Sequence, residues 1–250
     1  MADEEILASG EASEPQTDAE LIEQIIGALR GRAAFYDLLA AIYFRPLTAE
    51  QIENIAGLDV SAYADMNELF ADGWNDVTRY LRKRHSGTRQ ELAVDFTSAF
   101  AGTSSWKGRY AVPYESVHTS AEGLMFQDSY HEVFTLYRQN RVERAAGYDY
   151  PDDHLSFMCE FMAILSERII EALEQNDVEA AAEQVKISRD FLADHILSWF
   201  DSLQDLALLL LETRFYRGIL KISKGFFQED AELLDSILAE LADQAVEEGE

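Results

Sequence analysis

Three segments of this chain place polar side chains next to aromatic or apolar ones closely enough to form a chemical site. Residues 113–118 read Pro-Tyr-Glu-Ser-Val-His, residues 151–155 read Pro-Asp-Asp-His-Leu, and residues 191–199 carry Phe191, His195 and Trp199 at four-residue spacing. Carboxylates beside apolar groups are suited to binding cations through charge-assisted hydrogen bonds. The chemistry that these segments favour is therefore recognition of a cationic group.

Each segment also has a purely structural interpretation. Asp152 or Asp153, directly after a proline, would cap the N-terminus of a helix. Glu115 and Ser116 would serve as hydrogen-bonding residues of a loop. The aromatic stripe of 191–199 is typical of a helix face that packs into a core. On residue types alone, we favour the structural interpretation for all three.

Catalytic and metal-binding patterns are missing from the sequence. Neither glycine-rich phosphate loop is present. His131 and Glu132 begin like H-E-x-x-H, but Thr135 stands where the second histidine should be. Ser104 and Lys107 have S-x-x-K spacing, yet they fall in a predicted loop without the companion motifs. We therefore expect no metal, no cofactor and no enzymatic activity.

The charge of the chain is strongly negative. Its 250 residues include 47 acidic and 20 basic ones, a formal net charge of −27. Acidic residues crowd both ends, so we expect flexible acidic tails at 1–17 and 242–250 around a helical domain at 18–241. This charge argues against binding a nucleic-acid backbone and favours cationic partners, basic peptides among them.

The compartment follows from cysteine and hydropathy. The single cysteine, Cys159, excludes an internal disulfide. The N-terminus does not look like a secretory signal, and the longest conspicuous apolar run, 206–211, is short of the roughly 20 residues that span a bilayer. We expect a cytoplasmic protein that does not insert stably into a membrane.

The spacing of apolar residues predicts an all-α fold, because hydrophobic residues recur at three and four and no period-two run is convincing. Capping boxes at Thr17, Thr48 and Thr88 mark three helix starts. Residues 101–120 are predicted to be the longest irregular segment, and a hinge is expected near 144–151. The predicted helices cover 18–45, 61–85 (one or two), 152–173, 177–195, 202–224 and 230–241, with further ones after Thr48, after Thr88 and around 130–137.

The order of these motifs along the chain favours a functional interpretation over the structural one. A helix ending in Asp95-Phe-Thr-Ser-Ala-Phe-Ala-Gly102 is followed by the 113–118 segment and by Gly123-Leu-Met125. The 151–155 segment then continues into Glu160-Phe-Met162, and the 191–199 stripe comes last. No single motif is diagnostic, but their order and spacing, from about Ala33 to Phe227, resemble the TorD/DmsD family of cytoplasmic chaperones for molybdoenzyme maturation.

The resemblance implies a single helical domain of two halves joined by a hinge, present as a monomer or a domain-swapped dimer. It implies binding of the twin-arginine signal peptide and body of a DMSO reductase-type molybdoenzyme precursor, assistance with insertion of the molybdopterin cofactor, and delayed export. In the family, the Pro-x-Asp-His segment is linked to recognition of the signal peptide. The resemblance carries over the Tyr-Glu-Ser loop as well, either as part of the binding site or as a structural element. The candidate signal-peptide-binding residues are Pro151, Asp152, Asp153, His154, Tyr114, Glu115 and Ser116.

The physical requirements of such a receptor agree with the sequence. A twin-arginine leader has a cationic region followed by an apolar one, so its receptor needs carboxylates beside an apolar groove. Asp152 and Asp153, with Phe157, Met158 and Met162 on the following helix, could supply both, although these apolar residues would equally suit a core.

The sequence departs from the family in two places. Tyr150 precedes Pro151 where relatives often have an acidic residue or proline, and the acidic extensions are long. Two other functions stay open, namely a metal-dependent helical enzyme with an unrecognised site and a helical adaptor that binds no signal peptide.

Overall fold

The computed structural model describes residues 18–60 and 66–247, and almost all of its regular structure is helical. In chain order the helices are α1 (Asp18–Phe44), α2 (Ala49–Ala56), α3 (Glu68–Leu81), α4 (Thr88–Ala99), α5 (Glu115–Thr119), α6 (Asp128–Gln139), α7 (Leu155–Glu174), α8 (Val178–Leu192), α9 (Ser198–Leu208) and α10 (Arg214–Glu247). A π-helical turn, Ala193–Leu197, joins α8 to α9 without a break.

Paired strands do not occur in the part of the chain that the structure describes. Its β-type pairing is limited to two isolated bridges, between Trp106 and Arg109 and between Tyr114 and His154. The all-α prediction is confirmed. Within the same residues, no helix combines the length and apolar character needed to cross a membrane.

A single hydrophobic core runs through the helices. Helix α1 packs along α7, and α10 packs along α3. Helix α1 is antiparallel to α7, because Arg30 at its middle pairs with Glu174 at the end of α7, while Ala40, further along α1, accepts a hydrogen bond from Ser156 at the start of α7. The molecule is therefore one helical domain, as predicted.

A buried ion pair fixes the register of four helices. Arg32 of α1 holds Asp230 of α10 with two hydrogen bonds of 2.5 and 2.9 Å. The same guanidinium donates to Ser166 of α7 and to Ser188 of α8, and Tyr36 donates to Asp230 at 2.6 Å. Because every charge in this cluster has a partner, the burial of the pair is compensated. None of these residues was predicted from the sequence to form a buried ionic cluster.

The backbones of α3 and α10 approach each other very closely. A Cβ added to Gly73 would lie 2.7 Å from the carbonyl oxygen of Gly218, and one added to Gly218 would lie 2.6 Å from that of Gly73. Only residues without a side chain fit at this crossing, so the two glycines allow the contact.

Local signals located several helices correctly. The capping box of Thr48 with Gln51 is present at the start of α2, α3 falls within the predicted 61–85, and Asp177 caps α8. Thr17 lies outside the described residues.

Other local signals were wrong. The cap of α4 is Gly87, while Thr88 lies inside the helix and its hydroxyl accepts from His85 N–H. The segment predicted as irregular, 101–120, contains α5, and the helices predicted at 202–224 and 230–241 are divided differently: α9 stops at Leu208, and α10 runs unbroken from Arg214.

Helix α10 continues to Glu247, past the domain boundary expected at 241. Residues 140–154 connect α6 to α7 without forming a helix, and they include the segment expected to act as a hinge. Hinge motion and exchange of halves between two copies stay predictions.

Candidate functional site

The structure brings the 113–118 and 151–155 segments into direct contact. Tyr114 and His154 form an antiparallel bridge, and Glu115 N–H donates to the Asp153 carbonyl at 3.1 Å. We call this pairing of residues 113–116 with 153–155 the clasp. It joins the N-terminus of α5 to the N-terminus of α7, so it sets the position of both helices.

Asp153 lies inside the clasp. Its side chain is fully buried, and Oδ2 accepts a hydrogen bond from Ser116 N–H at 2.9 Å. Burial raises the pKa of Asp153, while the hydrogen bonds from Ser116 act in the opposite direction. The carboxylate of Asp153 therefore binds the first turn of α5 and is not presented at the surface.

His154, rather than either aspartate, is the N-cap of α7. Its Nδ1 accepts a hydrogen bond from Ser156 N–H at 3.1 Å, whereas Oδ2 of Asp153 accepts from Ser116 N–H of α5. The imidazole lies between the rings of Tyr114 and Tyr150, with ring centroids at 4.9 and 5.0 Å. Burial lowers the pKa of His154 to about 3, so the ring is neutral at physiological pH.

Asp152 connects the clasp to the surface. Its Oδ2 accepts from the Tyr130 hydroxyl at 3.3 Å, and its Oδ1 lies 3.8 Å from Nε of the exposed Arg144. Arg144 also donates to the carbonyl of Tyr150. Pro151, next to Asp152, is buried. Of the two aspartates, Asp152 is therefore the one with partly exposed and exposed neighbours.

The third segment joins the other two through an ion pair. Glu115 at the start of α5 lies 3.1 Å from Nδ1 of His195, which sits in the π-helical turn. Burial would lower the pKa of His195, but the hydrogen bond and charge of Glu115 outweigh it, so this pKa is raised. Burial also raises the pKa of Glu115. Phe191 and Trp199 are buried, which confirms the core interpretation for these two residues.

A long groove begins beside His195 and runs between α6, α7 and α8. Its volume is about 940 Å³, and its floor includes the half-buried apolar residues Leu136, Ala172 and Ile187 over the almost fully buried Phe161 and Phe191. Two basic residues, Arg141 and Arg168, also line it. The groove's carboxylates outnumber these and are Glu171, Asp177, Glu183, Asp190 and Asp194. We call it the acidic groove.

The acidic groove was not predicted from the sequence, although the spacing of its carboxylates is a signal for it. Glu183, Asp190 and Asp194 are spaced by seven and four residues, which places carboxylates on one face of a helix. The apolar residues proposed instead, Met158 and Met162, are fully buried in the core.

A smaller pocket of about 470 Å³ lies against the same histidine on the α6 side. It shares Leu136, Gln139 and His195 with the acidic groove and adds Glu132 and His131. Because three residues line both spaces, the pocket adjoins the acidic groove.

Three consecutive apolar side chains are exposed on the loop before α6. Leu124, Met125 and Phe126 are 55%, 44% and 54% exposed, and Phe126 has a left-handed backbone with φ of 61°. The Phe126 ring packs on Tyr130, whose hydroxyl reaches Asp152, with centroids 5.1 Å apart. Exposed apolar clusters of this kind are typical of interaction surfaces.

In the described parts of the chain, no group of three or more histidine, cysteine, aspartate or glutamate side chains is placed to hold a metal ion. The arrangement has carboxylates, apolar surface and one buried ion pair, which suits binding of a segment that is both cationic and apolar.

Comparison with known proteins places this arrangement in a family context. Residues 64–205, more than half of the chain, match the family model described as nitrate reductase delta subunit. The Chaperone protein TorD of Vibrio vulnificus (strain YJ016) is 23% identical over 220 residues, covering 86% of this chain and 99% of that protein. The Chaperone protein TorD of Photobacterium profundum is 22% identical over 223 residues, covering 85% of this chain and 98% of that protein.

Proposed function

This chain belongs to the nitrate reductase delta subunit family, which includes the TorD chaperones, and on that premise we propose that it is a maturation chaperone for a molybdoenzyme. Its client is the precursor of a DMSO reductase-type enzyme, of which it binds the twin-arginine leader and the body. In the cytoplasm it assists insertion of the molybdopterin cofactor and delays export. It catalyses no reaction of its own.

The observation that carries the proposal is the acidic groove with its apolar floor. A twin-arginine leader offers positive charges followed by an apolar stretch. The carboxylates of the groove complement the charges, and the half-buried Leu136, Ala172 and Ile187 offer apolar surface to the apolar stretch. The exposed loop at 124–126, which packs on Tyr130 of α6, adds further apolar surface.

The clasp has a positioning role in this proposal. Asp153 and His154 are buried, so they act on the leader by holding α5 and α7 in place. Tyr114, Glu115 and Ser116 form the other side of the clasp and place Glu115 against His195. Asp152 lies directly before the clasp and contacts Tyr130 and the exposed Arg144, so in this proposal it is the candidate carboxylate nearest to a bound peptide.

The test is calorimetric titration with a synthetic twin-arginine leader of a DMSO reductase-type precursor from the same genome. The double variant Glu183→Gln/Asp194→Asn removes two exposed carboxylates from the acidic groove. Each exposed charge pair is worth roughly 0.2–1 kcal/mol, so we expect affinity to fall several-fold at low salt. The difference should shrink as salt rises, because screening weakens exposed charge pairs.

The matched control is Glu50→Gln/Asp205→Asn, which removes two exposed carboxylates from α2 and α9 and leaves the same net charge. It should keep wild-type affinity apart from the small effect of net charge. Equal weakening by both double variants would reject the groove as the binding site. Absence of binding by the folded wild type would reject leader recognition.

A further inference from the structure

The pocket beside α6 ends on a buried ion pair. His195 lines the pocket and is 8% exposed, while Glu115, directly behind it at 3.1 Å, is 3% exposed and does not line the pocket. A charge approaching through the pocket therefore meets the imidazole first and the carboxylate next.

Negative groups surround this imidazole from several elements. Glu115 faces it from α5, Glu132 from α6, and Asp194 from its own turn, while Asp153 of the clasp acts on Glu115. His131 of α6 lies on the pocket wall. The proton on His195 is the positive charge that lies closest to Glu115.

The two nitrogens of His195 have different surroundings. Nδ1 lies against both oxygens of Glu115, at 3.1 and 3.2 Å, and no described residue is hydrogen-bonded to Nε2. A neutral imidazole that keeps its proton on Nδ1 would preserve the contact with Glu115 and turn Nε2 into an acceptor.

The π-helical turn holds His195 at this point. Residues 193–197 interrupt the α-helical hydrogen bonding between α8 and α9, and Trp199 Nε1–H donates to the His195 carbonyl at 2.5 Å. π-Helical turns inside α-helices occur often at functional sites.

We propose that this pocket binds an arginine side chain of the client's leader, and that the guanidinium replaces the proton on Nε2 of His195 as the positive charge facing Glu115. The inference rests on the proposed function and names the subsite for one arginine. The guanidinium N–H donates to Nε2, Glu132 supplies a second acceptor, and at most one proton passes from His195 to the buffer. Glu115 stays ionised throughout, so the charge of the site is conserved.

This exchange makes leader binding depend on pH. The free protein holds more protons than the complex, so affinity rises with pH while His195 of the free protein is protonated. One proton released corresponds to an increase in affinity of at most about tenfold per pH unit. At higher pH, where free His195 is already neutral, the dependence disappears.

Calorimetry of the twin-arginine leader in phosphate and in Tris buffer, at about pH 6.5 where an ordinary histidine titrates, measures the protons released. We expect the wild type to release up to one proton per leader and His195→Gln to release fewer. Glutamine keeps an N–H donor for Glu115 but has no titratable proton. His131→Gln, on the wall of the same pocket, is the matched control and should release as many protons as the wild type.

A second measurement separates this inference from the proposed function. NMR titration of His195 with arginine amide, with lysine amide as comparison, reports its pKa with no leader present. A lowered pKa with arginine amide supports the subsite even if the leader fails to bind, in which case only the proposed function is rejected. If the leader binds and the wild type and His195→Gln release equal numbers of protons, the subsite is rejected and the proposed function is retained. The same holds if arginine amide leaves the pKa of His195 unchanged.

Discussion

Substitution of Asp153 separates a structural role from a functional one. The carboxylate is fully buried and accepts one backbone hydrogen bond, from Ser116 at 2.9 Å. In Asp153→Asn the amide oxygen can accept the same bond, while the buried charge is lost. In Asp153→Ala the bond is lost as well, and Ser116 N–H is left without this acceptor.

The magnitudes follow from these contacts. A buried donor without an acceptor costs about 1–3 kcal/mol, so we expect Asp153→Ala to lower the free energy of unfolding by that amount. Asp153→Asn keeps the bond and removes a charge that burial disfavours, so its stability at neutral pH should equal or exceed that of the wild type.

The pH dependence of unfolding independently gives the sign of the stability difference between Asp153→Asn and the wild type. Because the pKa of Asp153 is raised in the folded protein, the folded state binds this proton more tightly than the unfolded state. Ionisation of Asp153 therefore costs stability as the pH rises above the ordinary value of 3.8. The advantage of Asp153→Asn over the wild type should be largest near neutral pH and fade on acidification.

Urea unfolding of the wild type and both variants, at about pH 5 and about pH 7, measures these differences as shifts in the midpoint at constant slope. Leader affinity should be measured on the same samples. A loss of more than about 2 kcal/mol in Asp153→Asn would refute this reasoning, because it would mean that the fold needs the charge itself. Retained stability with retained leader affinity is the expected result for Asp153→Asn, because asparagine keeps the bond to Ser116 N–H by which residue 153 holds α5 in place.

Two further predictions concern stability. Gly73→Ala should lower the free energy of unfolding by about 1–3 kcal/mol or more, because its Cβ would lie 2.7 Å from Gly218 O. Gly27→Ala, whose Cβ meets no atom within 4 Å, should raise it by up to about 1 kcal/mol, so the urea midpoints of the two variants should shift in opposite directions. Below about pH 6.5 the unfolded wild type binds a proton on His154 that the folded protein does not bind, because the pKa of the buried ring is about 3. The wild type should therefore lose up to about 1.4 kcal/mol of stability per pH unit on acidification, and His154→Asn should remove this loss. Asparagine retains the cap on Ser156 N–H, so parallel pH profiles of the variant and the wild type would contradict the second prediction.

Local chemistry predicted most of the helices. The cap at Thr48 and the apolar spacing of α7 depend only on neighbours in the sequence, and both were read correctly. The break between α9 and α10 was missed, because no glycine or proline marks it. The carboxylate of Asp95, on α4, accepts the N–H groups of Glu212 and Thr213 at 2.8 and 2.9 Å, so a distant residue caps α10.

The candidate site divides in the same way, into segments that local motifs identify and contacts between residues that are distant in the sequence. The order of the motifs singled out 113–118 and 151–155, and the structure places these segments in contact. The partner of Glu115 could not be read from the sequence, because His195 is 80 residues away and was assigned to a core stripe. The acidic groove depends on how α6, α7 and α8 pack together, which no single segment encodes.

Among the described residues, two buried ionic clusters differ in a way that bears on function. Arg32 and Asp230 are joined by two hydrogen bonds and further satisfied by serines and Tyr36, so their charges balance within the fold. Around the clasp, by contrast, burial raises the pKa of both Asp153 and Glu115, and His195 supplies the positive charge that contacts Glu115. Buried carboxylates with raised pKa values concentrate at functional sites, where they cost stability that a ligand restores. Under the proposed arginine subsite, the leader's guanidinium takes over the positive charge that His195 supplies to Glu115. The second cluster can therefore exchange its cation for one carried by a ligand, whereas the cation of the first cluster, Arg32, belongs to the fold.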